Sequence, residues 1–243
     1  SETNTNPYQT YFIAKISSEG LVKWVHNITP MSAMTFPPDE GGLGTDDSCN
    51  IIVTGTFYER SAVVGTTTLY NKDTTGITGD VFIVKYDSSG NVKWAKSFGG
   101  DSIEFVYGIA VTPKGNFYVV GNYYSDSITV GSATITSPVP SIASHFLGRF
   151  DAGGNPRWMQ SLPGSTGVEV FGRLATNSED NVYLSGSYWI TKTFGSHTLT
   201  SHGGGDAFLV KYDSSGNALW ARTAGSSSYD AAYGLSIDQC NKI

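Results

Sequence analysis

Along most of this chain apolar side chains alternate with polar ones for a strand's length and then give way to a short Gly-, Asp- or Asn-containing turn, a pattern of β-strands rather than helices. The clearest example is repeated without a gap four times: FIAKISSEGLVKW at 12–24, FIVKYDSSGNVKW at 82–94, FLGRFDAGGNPRW at 146–158 and FLVKYDSSGNALW at 208–220. Each copy predicts a β-hairpin, because β-branched and aromatic residues flank a turn such as DSSGN. Folding each copy about its midpoint sets Phe12 opposite Trp24, Phe82 opposite Trp94, Phe146 opposite Trp158 and Phe208 opposite Trp220.

A second hairpin pattern follows each first one, in GLGTDDSCNIIVTGTFY, GIAVTPKGNFYVVGNYY and GRLATNSEDNVYLSGSYW. A fourth copy, GLSIDQCNKI, carries only the start of its second strand. Two hairpins per repeat predict a four-stranded antiparallel unit, and the Trp-to-Trp spacings of 70, 64 and 62 residues leave room for long connectors. Those connectors echo one another as AVVGTTTLYN, ITVGSATITS and KTFGSHTLTS, each a small extra turn. The expected architecture is all-β, a β-propeller built from four-stranded antiparallel blades. A polar segment spans 1–10, and repeat units follow at about 11–80, 81–144, 145–206 and an incomplete 207–243. The connectors are expected to gather on one variable face, where a partner binds.

Composition narrows the function classes. Charged residues make up 15% of the 243, below the usual quarter, and the net charge of −6 is not gathered into blocks, so a nucleic-acid partner is not expected. No apolar run is long enough to span a bilayer. Cys49 and Cys240 each precede Asn in a turn of a different repeat, which predicts that they lie too far apart to bond.

The combination GIAVTPKGNFYVVG, VGSATITS and VFIVKYDSSGNVKWAKSFGG resembles the bacterial β-propeller repeat family usually called SBBP, over roughly residues 11–243. The resemblance implies a propeller, of seven blades in the whole protein, within an extracytoplasmic bacterial surface or secreted protein. It implies no reaction, cofactor or shared catalytic residue. NITPMSAMTFPPDEGG in the first repeat and the short last repeat depart from the pattern. The terminal half-units would complete a closed four-bladed ring if taken literally; the preferred expectation is part of a larger propeller.

Candidate chemistry is sparse. Aromatic pairs close the second hairpin at Phe57–Tyr58, Tyr123–Tyr124 and Tyr188–Trp189, and alternation sends one ring of each pair to each face of its strand. Tyr58, Tyr124 and Trp189 are therefore candidate sugar-stacking rings in a lectin-like reading, against the plainer one that both rings pack between blades. Asp39, Glu104, Glu169 and Asp230 recur just before the first strand of a repeat and are candidates for an acidic ring holding a ligand or cation, or for carboxylates that accept backbone N–H groups. The basic residues Lys15, Lys85, Arg149 and Lys211, with Lys23, Lys93 and Arg157, read either as a basic groove or as stems covering apolar surface with heads in solvent, the latter preferred. His26, His145, His197 and His202 are scattered, and no nucleophile or metal motif is present. The leading expectation is a noncatalytic binding or structural module with a protein or glycan partner, ahead of a lectin-like propeller and of an enzyme using the acidic ring.

Overall fold

The computed structural model describes residues 11–28, 42–75, 77–138, 142–162, 170–238 and 242–243. Among them there are strands and no helix, hence none long and apolar enough to cross a membrane. The first sheet is the hairpin β1 (Tyr11–Ile16) and β2 (Val22–Ile28). The second is built from β3 (Gly42–Thr45) and β4 (Ile51–Phe57), then, after the small hairpin β5 (Ser61–Val64) and β6 (Thr67–Tyr70), from β7 (Asp80–Tyr86) and β8 (Val92–Phe98). The third repeats this with β9 (Glu104–Val111), β10 (Phe117–Tyr123), the small hairpin β11 (Ser127–Val130) and β12 (Ala133–Thr136), β13 (Ser144–Phe150) and β14 (Pro156–Leu162). The fourth has β15 (Val170–Thr176), β16 (Val182–Tyr188), the small hairpin β17 (Thr191–Phe194) and β18 (His197–Thr200), β19 (Asp206–Tyr212) and β20 (Ala218–Ala224). In these three sheets the strands lie in chain order and antiparallel, and the described sheets do not close into a ring.

Each sheet thus joins the end of one sequence unit to the start of the next. The four-stranded sheets cover 42–98, 104–162 and 170–224, so the expected units at 81, 145 and 207 begin in the middle of a sheet. The reason is the ladder between β4 and β7, and its equivalents, which pairs Gly55 with Phe82, Gly121 with Phe146 and Gly186 with Phe208. A side chain at Gly55 or Gly121 would fall within 2.9 Å of the opposing phenyl ring, so the glycine makes room for the phenylalanine.

Packing follows from strand alternation. Val81 and Ile83 of β7 face the third sheet, whereas Phe82, Val84 and Tyr86 face the first. In the same way Phe117 and Val119 face the second sheet and Tyr118 and Val120 the fourth. One apolar core fills each seam between neighbouring sheets, and the inner strands β4, β7, β10 and β16 bury both faces. Burial on both sides explains why these strands read as nearly continuous apolar runs.

Two local expectations are corrected. The hairpins do not set Phe against Trp: Trp24, Trp94, Trp158 and Trp220 lie opposite Lys15, Lys85, Arg149 and Lys211, while Phe12, Phe82, Phe146 and Phe208 lie opposite Asn27, Ser97, Ser161 and Thr223. The turn decides this. The Asp87 amide donates to the Asn91 carbonyl at 2.9 Å and the Gly90 amide to the Asp87 carbonyl at 3.0 Å, so the whole of DSSGN is turn and a bulge follows Lys85. The connectors form hairpins as expected, but they fold back against the outermost strand of their own sheet. Gly65 sits against Val92, Gly131 against Pro156 and Gly195 against Ala218, each near φ +60°. They cover sheet edges that would otherwise present unpaired backbone groups. The GLSIDQCNKI segment forms no strand over 234–238.

Candidate functional site

The most regular chemistry in the molecule is the seam between sheets. Trp24 Nε1 donates to the Ser88 carbonyl at 3.4 Å, Trp94 Nε1 to Ala152 at 3.2 Å and Trp158 Nε1 to Ser214 at 2.9 Å. Each acceptor lies in the outer turn of the following sheet. The glycine of that turn, Gly90, Gly154 or Gly216, has φ between +72° and +90° and rests on the indole; a Cβ there would come within 2.9, 2.8 and 3.2 Å of its ring. The same three seams therefore carry one repeated contact, an indole lying on a left-handed glycine and hydrogen-bonded to the turn carbonyl. Carboxylates shape the turns from within: Asp87 Oδ1 accepts the Ser89 and Asn91 amides, and Asp151 and Asp213 do the same in their copies.

Lys85 and Arg149 are built into these seams, so the expectation that the basic heads reach solvent is corrected for these two. Lys85, buried, pairs with Asp46 at 3.0 Å, and Lys15 Nζ donates to the Ser88 carbonyl at 2.8 Å. Arg149 pairs with Asp180, whose backbone carbonyl also accepts the Tyr118 hydroxyl at 2.6 Å. Lys211 lies over the Tyr183 ring. Burial pushes the Asp46 carboxyl up, but the Asn50 amide and Lys85 outweigh it and hold it below its usual range. Lys23, Lys93 and Arg157 are exposed.

A pair of carboxyl groups sits between the second and third sheets. Asp80 and Glu104 are both buried, and each reaches within 2.7 Å of the point where a Gly99 side chain would begin. Glu104 accepts Ser125 Oγ at 2.6 Å and the Gly100 amide at 2.8 Å. Asp80 Oδ2 accepts the Lys72 amide at 2.8 Å, while its Oδ1 is buried with no partner among the described residues. Burial pushes Asp80 up to about 6 and Glu104 up to about 7; the charge of Asp73 adds to the rise at Asp80, and that of Asp80 to the rise at Glu104. The pair therefore holds a proton near neutral pH. Asp80 is absent from the sequence candidates, although its recurrence in GDVF and GDAF, with Asp206 in the second, is a signal that repeat alignment offers.

Other candidates are dispersed. Tyr58 is buried, Tyr124 is 41% exposed with its ring edge-on to Phe105, and Trp189 is half-buried and stacked on Tyr229 at 5.3 Å. Their sequence neighbours Phe57, Tyr123 and Tyr188 are fully buried. The three rings therefore differ in exposure. Among the acidic candidates, Asp39 and Glu169 lie outside the described residues, and Asp230 caps a tail loop by accepting the Ser226 amide at 2.7 Å. Glu104 and Asp230 thus hold equivalent loops through backbone N–H groups. Among the described residues no group of three or more His, Cys, Asp or Glu is gathered as for a metal ion. His145 is buried against Asn122, and burial, with Lys192 nearby, pushes its imidazole down to about 3. Cys49 is exposed and free at φ 58°, and Cys240 lies outside the described residues.

A groove of about 580 Å³ lies on the rim of the seam between the third and fourth sheets. Pro138, Gln160 and Leu162 form one wall, and Thr193, Ser196 and Asn217 belong to the other. Gln160 Nε2 is buried beside the groove and has no acceptor among the described residues.

The chain matches no protein-family model. It is similar to a WD repeat-containing protein, L264 of Acanthamoeba polyphaga mimivirus, which is uncharacterised; the identity is 26% over 196 residues, 68% of this chain. The match spans 14% of the length of that relative.

Proposed function

We propose that this chain is a noncatalytic β-propeller module that binds a protein or glycan partner at the open rim between its sheets. The observation that carries the reading is the seam itself. The same indole-on-glycine contact recurs at three successive boundaries, as in an array of like blades placed side by side. Similarity to a WD repeat-containing protein supports a propeller from an independent direction. The SBBP resemblance of FIVKYDSSGNVKW supports an extracytoplasmic bacterial setting. In this reading the buried carboxyl pair and the Arg149–Asp180 ion pair lie between neighbouring blades, and the groove beside Gln160 takes the ligand.

Within the glycan form of this reading, Tyr124 is the candidate ring best placed to meet a sugar, since Tyr58 is buried and Trp189 is covered by Tyr229. The test is an array of neutral oligosaccharides and one of synthetic peptides, probed with the parent chain and with Gln160→Ala. Binding that is lost in the variant, with no product released from the bound species, is the expected result. Turnover of a bound species, or binding indifferent to Gln160→Ala, overturns the proposal.

A further inference from the structure

Two residues after each hairpin tryptophan the chain places His26, Lys96, Gln160 and Arg222. At the seam between the second and third sheets, Lys96 reaches across to the outer turn of the next sheet. Its Nζ donates to the Gly154 carbonyl and to Asn155 Oδ1, both at 2.9 Å, and lies 5.8 Å from the centre of the Trp94 ring. The chain thus supplies its own ammonium group to this seam. At the seam between the first and second sheets the place belongs to the His26 ring, which is stacked on Tyr86 at 5.8 Å and comes within 2.7 Å of where a Gly90 side chain would begin.

The seam between the third and fourth sheets keeps the acceptors and lacks the ammonium. Gly216 and Asn217 repeat Gly154 and Asn155 in a turn of the same form, with the Asp213 amide donating to the Asn217 carbonyl at 3.0 Å and the Gly216 amide to the Asp213 carbonyl at 3.1 Å. Asn217 Nδ2 donates to Asp213 at 2.9 Å, as Asn155 Nδ2 does to Asp151 at 3.1 Å, so the same face of each amide is left for the seam. Neither the Gly216 carbonyl nor Asn217 Oδ1 accepts a hydrogen bond among the described residues. Gln160 stands in the place of Lys96 and is too short to repeat its reach; Ala218 stands in the place of Pro156, so that Gly195 rests on a methyl group where Gly131 rests on a ring. Both replacements are smaller, and the groove of about 580 Å³ lies at this point, lined by Gln160, Gly216, Asn217 and Ala218 together with Leu162 and Phe194. No Lys, Arg, Asp or Glu is among its described lining residues.

We infer that this groove takes a lysine side chain of a protein partner, whose ammonium donates to the Gly216 carbonyl and Asn217 Oδ1 beside Trp158 as that of Lys96 does to Gly154 and Asn155 beside Trp94. The inference rests on reading the groove as a binding site and narrows its partner to a protein that presents a lysine. The neighbouring seam selects this occupant, because there the same pair of acceptors and the same indole hold an ammonium on an aliphatic stem. Leu162 and Phe194 offer the stem an apolar wall. The Gln160 amide, turned over, adds its oxygen as a third acceptor, and the net charge of −6 favours the approach of a cationic group.

NMR titration of the nitrogen-15-labelled chain tests this with two probes, Nα-acetyl-lysine N-methylamide and the same molecule acetylated on Nε, which keeps the stem and removes the charge. The free-amine probe should shift the Trp158 Nε1–H and Asn217 side-chain amide signals and leave Trp94 Nε1–H, where Lys96 already sits, unmoved. Acetylation should weaken binding about 10-fold or more, and Gln160→Ala, which removes the third acceptor, by a similar factor. Gln160→Lys restores a built-in ammonium and should abolish the shifts; Ala218→Pro restores the other filling residue and gives a second block, with circular dichroism and thermal melting to check that each variant is folded. Equal binding of the two probes, binding that survives both Gln160→Lys and Ala218→Pro, or no shift at Trp158 and Asn217 would overturn the inference. If the oligosaccharide and peptide arrays still show Gln160-dependent binding of uncharged species, the lysine alone is refuted and the groove stands; if the arrays are silent as well, both readings fall.

Discussion

Replacing Asp80 by Asn should stabilise the protein at pH 8 and do little at pH 4. Asp80 is buried between two sheets, with one oxygen that has no partner among the described residues, beside Glu104 and within reach of Lys72 and Asp73. Its carboxyl is raised from 3.8 to about 6. At about 1.4 kcal/mol per unit, keeping it ionised inside the fold costs about 3 kcal/mol. The sign follows from which state holds the proton more tightly. Below pH 4 the carboxyl is neutral whether the chain is folded or not, and the cost is absent. Between pH 4 and 6 the unfolded chain gives up its proton first, so stability falls as pH rises; above 6 the full cost applies. Asn keeps the acceptor for the Lys72 amide and cannot ionise. Urea unfolding of parent and variant at both pH values should show the variant ahead by about 1–3 kcal/mol at pH 8, less the amide's own desolvation, and the two nearly equal at pH 4. A variant less stable than the parent by a similar amount at both pH values would refute the reasoning, because Asp80 would then act as a favourably ionised partner.

Two further substitutions probe the seams. Gly154→Ala combines a left-handed backbone with a Cβ placed 2.8 Å from the Trp94 ring, and should lower stability by about 2–4 kcal/mol in denaturant titration, whereas Gly20→Ala, with open space, should cost about 1. Asp46→Ala leaves Lys85 buried without its carboxylate and should cost about 3–5 kcal/mol; adding Lys85→Met in the same chain should recover most of that loss, as read from urea midpoints of the three variants.

The hairpins were legible because everything that makes them is local. Alternation, aromatic content and the DSSGN turn all lie within thirteen residues, and repetition separates them from chance. Register was less legible. It depends on the Asp87 and Gly90 amide bonds, which enlarge the turn and shift Trp94 from Phe82 to Lys85. Grouping into sheets was harder still, because the β4–β7 ladder crosses an intervening hairpin and joins segments that read as separate units. The seam partners of Trp24 and Trp94 lie about sixty residues away, in the next repeat, so no local pattern announces them. Tyr58 and Tyr124 hold the same position in the repeat, yet one is buried and the other open, a difference that alternation along the strand does not carry. Asp80 had a recurring GD signal and no motif to give it meaning until the fold placed Glu104 beside it.

Hydrogen exchange at the five tryptophan indoles, followed by NMR in dilute protein, addresses the stacking of repeats most directly. Nε1–H of Trp94 and Trp158 should exchange slowly, Trp24 with its longer bond somewhat faster, and Trp220 fastest of the four hairpin indoles. Equal exchange at all four would contradict sheets joined by an indole laid on the next turn.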